Sequence, residues 1–126
     1  MQFFETIFLK EADVFVASLD KKTQQKIFYN IRIAEQTNDP ELFKKLTDDI
    51  WEFRTLYHKA VIRVLAFWDK NNKMRTLVLA TNGFIKKTQK TPANEIERAK
   101  QIMKKYYNES IINFTRYGKD ETIFVI

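Results

Sequence analysis

Glu52 and Arg54 stand two residues apart in Ile50 to Leu56, a run rich in β-branched and aromatic residues. In a strand, that spacing puts both side chains on one face and turns Trp51 and Phe53 the other way, into a core. If Tyr57 to Ala60 is a hairpin loop, Leu56 pairs with Val61 and Arg54 falls opposite Arg63. Like charges directly opposed across a strand pair repel each other. Such a pair persists where an anion lies between the two, or where Glu52 offsets it. A register shifted by one residue would instead turn Arg63 to the other face. Arginine keeps its charge at ordinary pH and grips phosphate with two parallel hydrogen bonds, so phosphate is the chemistry this pair suits. A solvent-facing Arg63 would contribute little to a core.

A second constellation runs from Asn82 through Gly83, Phe84, Ile85, Lys86, Lys87, Thr88, Gln89 and Lys90 to Thr91-Pro92. Gly83 permits a sharp turn or a bulge. Thr91 as N-cap with Pro92 at the first helical position opens a helix. Three lysines beside the free amides of a helix N-terminus suit phosphate. A basic loop before a helix is also common without any such role. His58, the one histidine, lies in the hairpin loop and reads as a solvated loop residue, with a general-base role as the alternative. The absence of cysteine removes a thiolate nucleophile and a thiolate metal site. Asp48, Asp49 and Glu52 could hold a hard cation, although Asp48-Asp49 fits a turn before a strand better. There is no phosphate-binding glycine loop and no dinucleotide fingerprint. No metal and no cofactor are expected.

The elements that must position these residues follow from periodicity. Gln2 to Phe8 alternates imperfectly and predicts a strand. Ala12, Phe15, Val16 and Leu19 give a helix over 10–19. Asp20 caps a second helix carrying Ile27, Phe28, Ile31 and Ala34, which ends at Asn38-Asp39-Pro40. Leu42, Phe43 and Leu46 suggest one more short helical turn. Ile50 to Leu56, Val61 to Trp68 and Arg75 to Asn82, joined by short polar links, predict an antiparallel meander. Ile96, Ala99, Ile102, Met103 and Tyr106 form the apolar stripe of the last helix. The segment after Ser110 is apolar again, and reads either as a hairpin turning near Gly118 or as a tail that needs a partner. Strand, two helices, three strands and a helix make an α+β domain over 1–107, followed by a tail over 108–126.

A hydrophobic content of 44% over 126 residues supports a single cored domain. The net charge of +6 is unevenly spread: residues 1–83 carry +2, residues 84–105 carry +5 and residues 106–126 carry −1. A concentrated basic segment is what a polyanion-binding face needs, and it is equally the solvated face of a basic helix. No stretch is long and apolar enough to span a membrane, and Met1 to Lys10 lacks the pattern of a signal peptide. A cytoplasmic protein without membrane contact is expected.

Three segments, in this order, resemble the RelE/ParE toxin superfamily and especially its HigB-like, phage-derived branch. They are Lys45-Leu46 with Asp49-Ile50-Trp51-Glu52-Phe53-Arg54, then Ile62-Arg63-Val64-Leu65, then Gly83-Phe84-Ile85-Lys86-Lys87-Thr88-Gln89-Lys90-Thr91-Pro92. The likeness spans roughly residues 2–107, and the last segment is the most specific. It implies the small RelE-like fold and a type II toxin, an endoribonuclease that cuts translated mRNA on the ribosome and is neutralised by an antitoxin, expected to be of helix-turn-helix type. It also implies that a cationic sheet face aligns RNA so that the 2′-hydroxyl attacks the adjacent phosphate. Arg63 resembles the family's phosphate-binding arginine. Arg54, Glu52, Lys86 and Lys87 join it as catalytic candidates, and Lys90, Asn82 and Lys45 stand as RNA-binding candidates. HigB-like sequences often carry histidine before the Gly-Phe of the last segment, where this chain has Asn82. An amide orients a phosphate but exchanges no proton near neutral pH, which leaves Glu52 and a lysine for proton transfer. The alternatives are a ParE-like toxin acting on another target such as gyrase, and a non-catalytic RNA- or protein-binding domain.

Overall fold

A computed structural model describes residues 2–70, 77–86 and 91–109, together with the backbone of 111–116 and 119–124. The described elements run β1 (Glu5–Leu9), α1 (Lys10–Ala17), α2 (Lys21–Thr37), β2 (Phe43–Thr47), β3 (Ile50–Tyr57), β4 (Ala60–Trp68), β5 (Leu77–Lys86), α3 (Ala93–Asn108), β6 (Ile111–Arg116) and β7 (Lys119–Phe124). The strands form one seven-stranded sheet in the order β2-β3-β4-β5-β1-β6-β7. The fold is α+β, as the periodicity predicts. Among the described strands only the β1–β5 pairing is parallel.

β1 is buried on both faces, which explains its weak alternation. Phe4 and Phe8 meet α1 and α2 through Ala12, Val16, Ile27, Ile31 and Ala34, while Ile7 and Leu9 meet Tyr106 of α3 on the opposite face. Asp20 accepts a hydrogen bond from the Thr23 amide at 2.7 Å and caps α2. Asn38 ends that helix in the left-handed region, at φ 54°. His58 and Lys59 both have positive φ, 50° and 66°, and form a two-residue hairpin turn between the paired Tyr57 and Ala60.

Two local expectations are corrected. The segment read as a helical turn at Leu42, Phe43 and Leu46 is the edge strand β2, paired antiparallel with β3. Asp39 accepts bonds from the amides of Leu42 and Phe43, each at 3.0 Å, and turns the chain toward the sheet. Phe43 then stacks on Phe53 at 4.3 Å and on Trp51 at 5.0 Å, contacts that a helix could not offer to both rings. The second correction is that Thr91 does not cap α3. Pro92 occupies that position and no side chain caps the helix.

β5 runs on through Gly83 to Lys86, farther than the expected end at Asn82. A bulge sits beside Gly83, where Val64 pairs with Gly83 but Ala66 pairs with Ala80. The requirement for glycine is spatial, because a Cβ at position 83 would lie 2.3 and 2.6 Å from atoms of the Phe15 ring. The segment after Ser110 forms the β6–β7 hairpin, and β6 joins the sheet beside β1. Its turn at Gly118, and the expected strand start at Arg75, lie outside the described residues.

Candidate RNA-binding site

The β3–β4 pairing places Leu56 opposite Val61 and Arg54 opposite Arg63, the register expected from the loop length. With the neighbouring pairings, three rows cross the face of the sheet that α3 also occupies. Lys44, Glu52 and Leu65 form one row, Arg54, Arg63 and Phe84 the next, and Leu56, Val61 and Lys86 the last. Period-two alternation thus brings Lys44, Arg54, Arg63 and Lys86 around one carboxylate.

That carboxylate is fully buried, with Glu52 at 0% exposure and Arg63 beside it at 3%. Arg63 Nη1 donates to Glu52 Oε2. Thr91 Oγ1 donates to Glu52 Oε1 at 3.2 Å, and Lys44 Nζ stands 4.0 Å from Oε2. Arg63 is therefore not the solvent-facing side chain expected from alternation alone. Alternation assigns it a face correctly, but neighbouring elements cover that part of the face. Nη1 is the guanidinium nitrogen that meets Glu52, and among the described residues the buried Arg63 Nε has no hydrogen-bond partner. A planar donor set held at one corner and unsatisfied at another is suited to accept an anion.

Arg54 and Lys86 are half-buried and form no ion pair with the described residues. Desolvation lowers the Lys86 pKa below its ordinary value, and the nearby charges of Arg63, Arg54 and Lys44 add to the shift against the opposing pull of Glu52. Arg63 is likewise lowered, first by burial and then by Arg54, with Glu52 opposing. The site thus holds excess positive charge that only partial neutralisation by Glu52 offsets.

Asn82, Lys45 and His58 separate from this cluster. Asn82 is buried at 1% exposure. Its Nδ2 donates to the Glu95 backbone oxygen at 3.2 Å and to Glu95 Oε1 at 3.1 Å, while Thr81 Oγ1 donates to its Oδ1 at 2.7 Å. Asn82 ties β5 to the first turn of α3 through these bonds. Lys45 pairs with Trp51 and so falls on the opposite side of β2 from Lys44, near Asp48 and Asp49 at the β2–β3 turn. Those two aspartates bind Lys100 at 3.2 Å and Lys70 at 3.1 Å. His58 is exposed at the hairpin tip against the Tyr57 ring. Lys87 and Lys90 lie outside the described residues. Among the described residues no group of three or more metal-binding side chains gathers.

Sequence reasoning missed Lys44 and the use made of Thr91. Lys44 becomes visible once 43–47 is read as a strand, since it then faces Glu52. Thr91 looks like a helix cap, and nothing local reveals that its hydroxyl reaches a strand 39 residues away.

The sequence model of the family described as Phage derived protein Gp49-like (DUF891) matches residues 14–104. The chain belongs to that family. The Gp49-like family falls in the RelE/toxin-like phage-derived group. The matched span holds Lys44, Glu52, Arg54, Arg63, Lys86 and Thr91, and ends before the β6–β7 hairpin. No curated protein matches the chain. No helix among the described residues is long and apolar enough to cross a membrane.

Proposed function

We propose that this Gp49-like protein is the toxin of a type II toxin–antitoxin pair, a metal-independent endoribonuclease that cuts mRNA, on the ribosome, through the RNA's own 2′-hydroxyl. The observation that carries the reading is the cationic cluster on one sheet face, with a buried Glu52 holding Arg63 while Arg63 Nε finds no hydrogen-bond partner among the described residues. Attack of the 2′-hydroxyl, which gives up its proton, on its neighbouring phosphate builds a doubly charged phosphorane, which collapses to the 2′,3′-cyclic phosphate by expelling the 5′-oxygen of the next nucleotide as a protonated hydroxyl. Fixed cations aimed at that charge stabilise it, each well-placed donor contributing on the order of 3 kcal/mol. Arg54 and Arg63 fit that role, with Lys86 beside them. Glu52 has both oxygens engaged, so its part is to hold Arg63 in position. Lys86, whose pKa is lowered, is the better described candidate to exchange a proton. The domain carrying this chemistry spans 1–107, with Lys87 as a further catalytic candidate and Lys90 as an RNA-binding one. A cytoplasmic antitoxin, of helix-turn-helix type and encoded beside the toxin, would cover the basic face.

The test is the chemistry of the cut. Cleavage should survive EDTA once ribosomes are kept intact by other means. The upstream fragment should end in a 2′,3′-cyclic phosphate or a 3′-phosphate, and one 2′-deoxy substitution at the cut should block cleavage without abolishing binding. Fragments ending in a 3′-hydroxyl, or cleavage of the deoxy substrate, would refute the mechanism. Growth arrest without cut RNA would favour another target such as gyrase.

A further inference from the structure

Beside the row of Arg54 and Arg63 lies one that is apolar except for Lys86. Leu56, on the same face as Arg54, is 67% exposed, and Val61 lies directly across from it with Lys86 on the far side. An isolated exposed leucine is ordinary. This one is placed by a turn of only two residues, His58 and Lys59, which fixes Leu56 and Val61 as an opposed pair at the end of the sheet. Helix α3 does not seal it, since the apolar cluster under that helix reaches Phe84 and stops there. Phe84 is half-buried, directly across from Arg63.

We infer that Leu56 and Val61, with Phe84 beside Arg63, form an apolar shelf for an unpaired nucleobase whose phosphate is held by Arg54, Arg63 and Lys86. The inference rests on the RNA reading above and deepens it, because it makes the site selective for single strands. Alternate residues on one strand face lie about 7 Å apart. That separation is of the order between the phosphate and the base of one nucleotide, so adjacent rows can take the two parts separately. The excess positive charge selects an anionic chain, and the shelf selects one that offers a flat apolar group beside each anion. A single-stranded RNA does both at every residue. A duplex keeps its bases stacked inside and presents only phosphate and ribose. Stacking on such surfaces is tolerant of sequence, so this shelf reads strandedness before it reads base identity.

The full-length protein can be titrated with a short 2′-fluoro single strand, which lacks the attacking hydroxyl, with the same strand made abasic, and with its duplex. The base-bearing single strand should bind on the order of tenfold tighter than the abasic strand. Leu56→Ser should remove most of that difference while leaving abasic binding within about twofold, since the phosphate contacts are untouched. Val61→Thr keeps the side-chain shape and adds a hydroxyl, and should have a smaller effect in the same direction. Thermal melting of each variant separates loss of the shelf from loss of fold. Equal wild-type affinity for base-bearing and abasic strands, or for single strand and duplex, overturns the shelf while leaving phosphate binding intact. If the wild-type protein binds none of the three, with or without ribosomes present, the RNA reading falls with it. If Leu56→Ser leaves RNA discrimination unchanged but weakens binding of the neighbouring gene's product, the shelf belongs to a protein partner and the inference is wrong.

Discussion

The face of the sheet under α3 has two ends built from the same strands. At one end Leu65, Phe67 and Leu79 are buried beneath Ala99, Met103 and Tyr106. The polar groups there are matched: Tyr106 donates to Asp69 at 2.8 Å, and Tyr107 accepts from the Lys70 amide at 3.0 Å. Burial and Asp69 both push the Tyr106 hydroxyl up, so it stays a neutral donor. At the other end the same alternation presents half-buried Arg54 and Lys86 beside the buried Arg63, whose Nε has no hydrogen-bond partner among the described residues. The strands do not differ in kind between the two ends. The difference lies in whether the helix closes the surface. A closed end requires matched groups, whereas an open end can keep unmatched charge for a ligand to satisfy.

Arg63 belongs to both regimes, so it gives the largest expected effect. Arg63→Ala should abolish cleavage, and it should also destabilise the fold by about 3–5 kcal/mol, because it takes from the buried Glu52 carboxyl its closest partner and leaves Thr91 and the more distant Lys44. Melting and single-turnover RNA cleavage read the two losses separately. Replacing both partners, as Glu52→Leu with Arg63→Met, should recover most of the stability and none of the activity. If Arg63→Ala melts like the wild type, the tether to Glu52 is not energetically significant and the contrast between the two ends is weaker than argued.

At the closed end the prediction is stability without function. Leu65→Ala should cost about 2–5 kcal/mol, by lost burial and the cavity left under Ala99. RNA affinity per folded molecule should stay unchanged. A selective loss of RNA binding would mean that packing under α3 sets the geometry of the open end. A smaller effect comes from the opposite face. Gly83→Ala drives a methyl into the Phe15 ring and should cost about 1–3 kcal/mol, and Phe15→Leu in the same chain should restore part of it. No recovery in the double variant would place the strain in the β5 backbone instead.

Much of this was legible before any coordinates. Taking Tyr57 to Ala60 as the link gives Leu56 opposite Val61 and Arg54 opposite Arg63, while a register one residue off fits the pattern equally well; the two-residue turn at His58 and Lys59 decides for the first. Asp20 and Asn38 mark the ends of α2 by chemistry that does not depend on the rest of the fold. Other features depend on partners distant in sequence. Leu42, Phe43 and Leu46 fit a helical turn as well as a short strand, and only the rings of Phe53 and Trp51 decide between them. Alternation assigns Arg63 a face but cannot say how deeply that face is covered. Thr91 looks like a helix cap until the strand carrying Glu52 comes within reach of its hydroxyl.

Lys86 offers the smallest and sharpest test, because its effects on stability and binding should have opposite signs. Its pKa is lowered, so the folded protein holds this proton less tightly than the unfolded chain does. Its charge therefore disfavours the folded state at every pH below the folded pKa. That cost fades as pH rises through the folded pKa toward the ordinary value of 10.5, and stability increases across that window. Lys86→Met removes the charge and keeps the aliphatic stem. At neutral pH it should melt no lower than the wild type and slightly higher, and the alkaline rise attributable to Lys86 should vanish. Binding should move the other way. The loss of one phosphate contact should flatten the dependence of log affinity on log salt by about 0.7 for a single strand. Melting across pH and RNA titration across salt measure the two effects independently. A lower melting temperature at neutral pH would mean that Lys86 stabilises the closed structure. An unchanged salt slope would place its ammonium away from the RNA, and the open end would then act through its arginines alone.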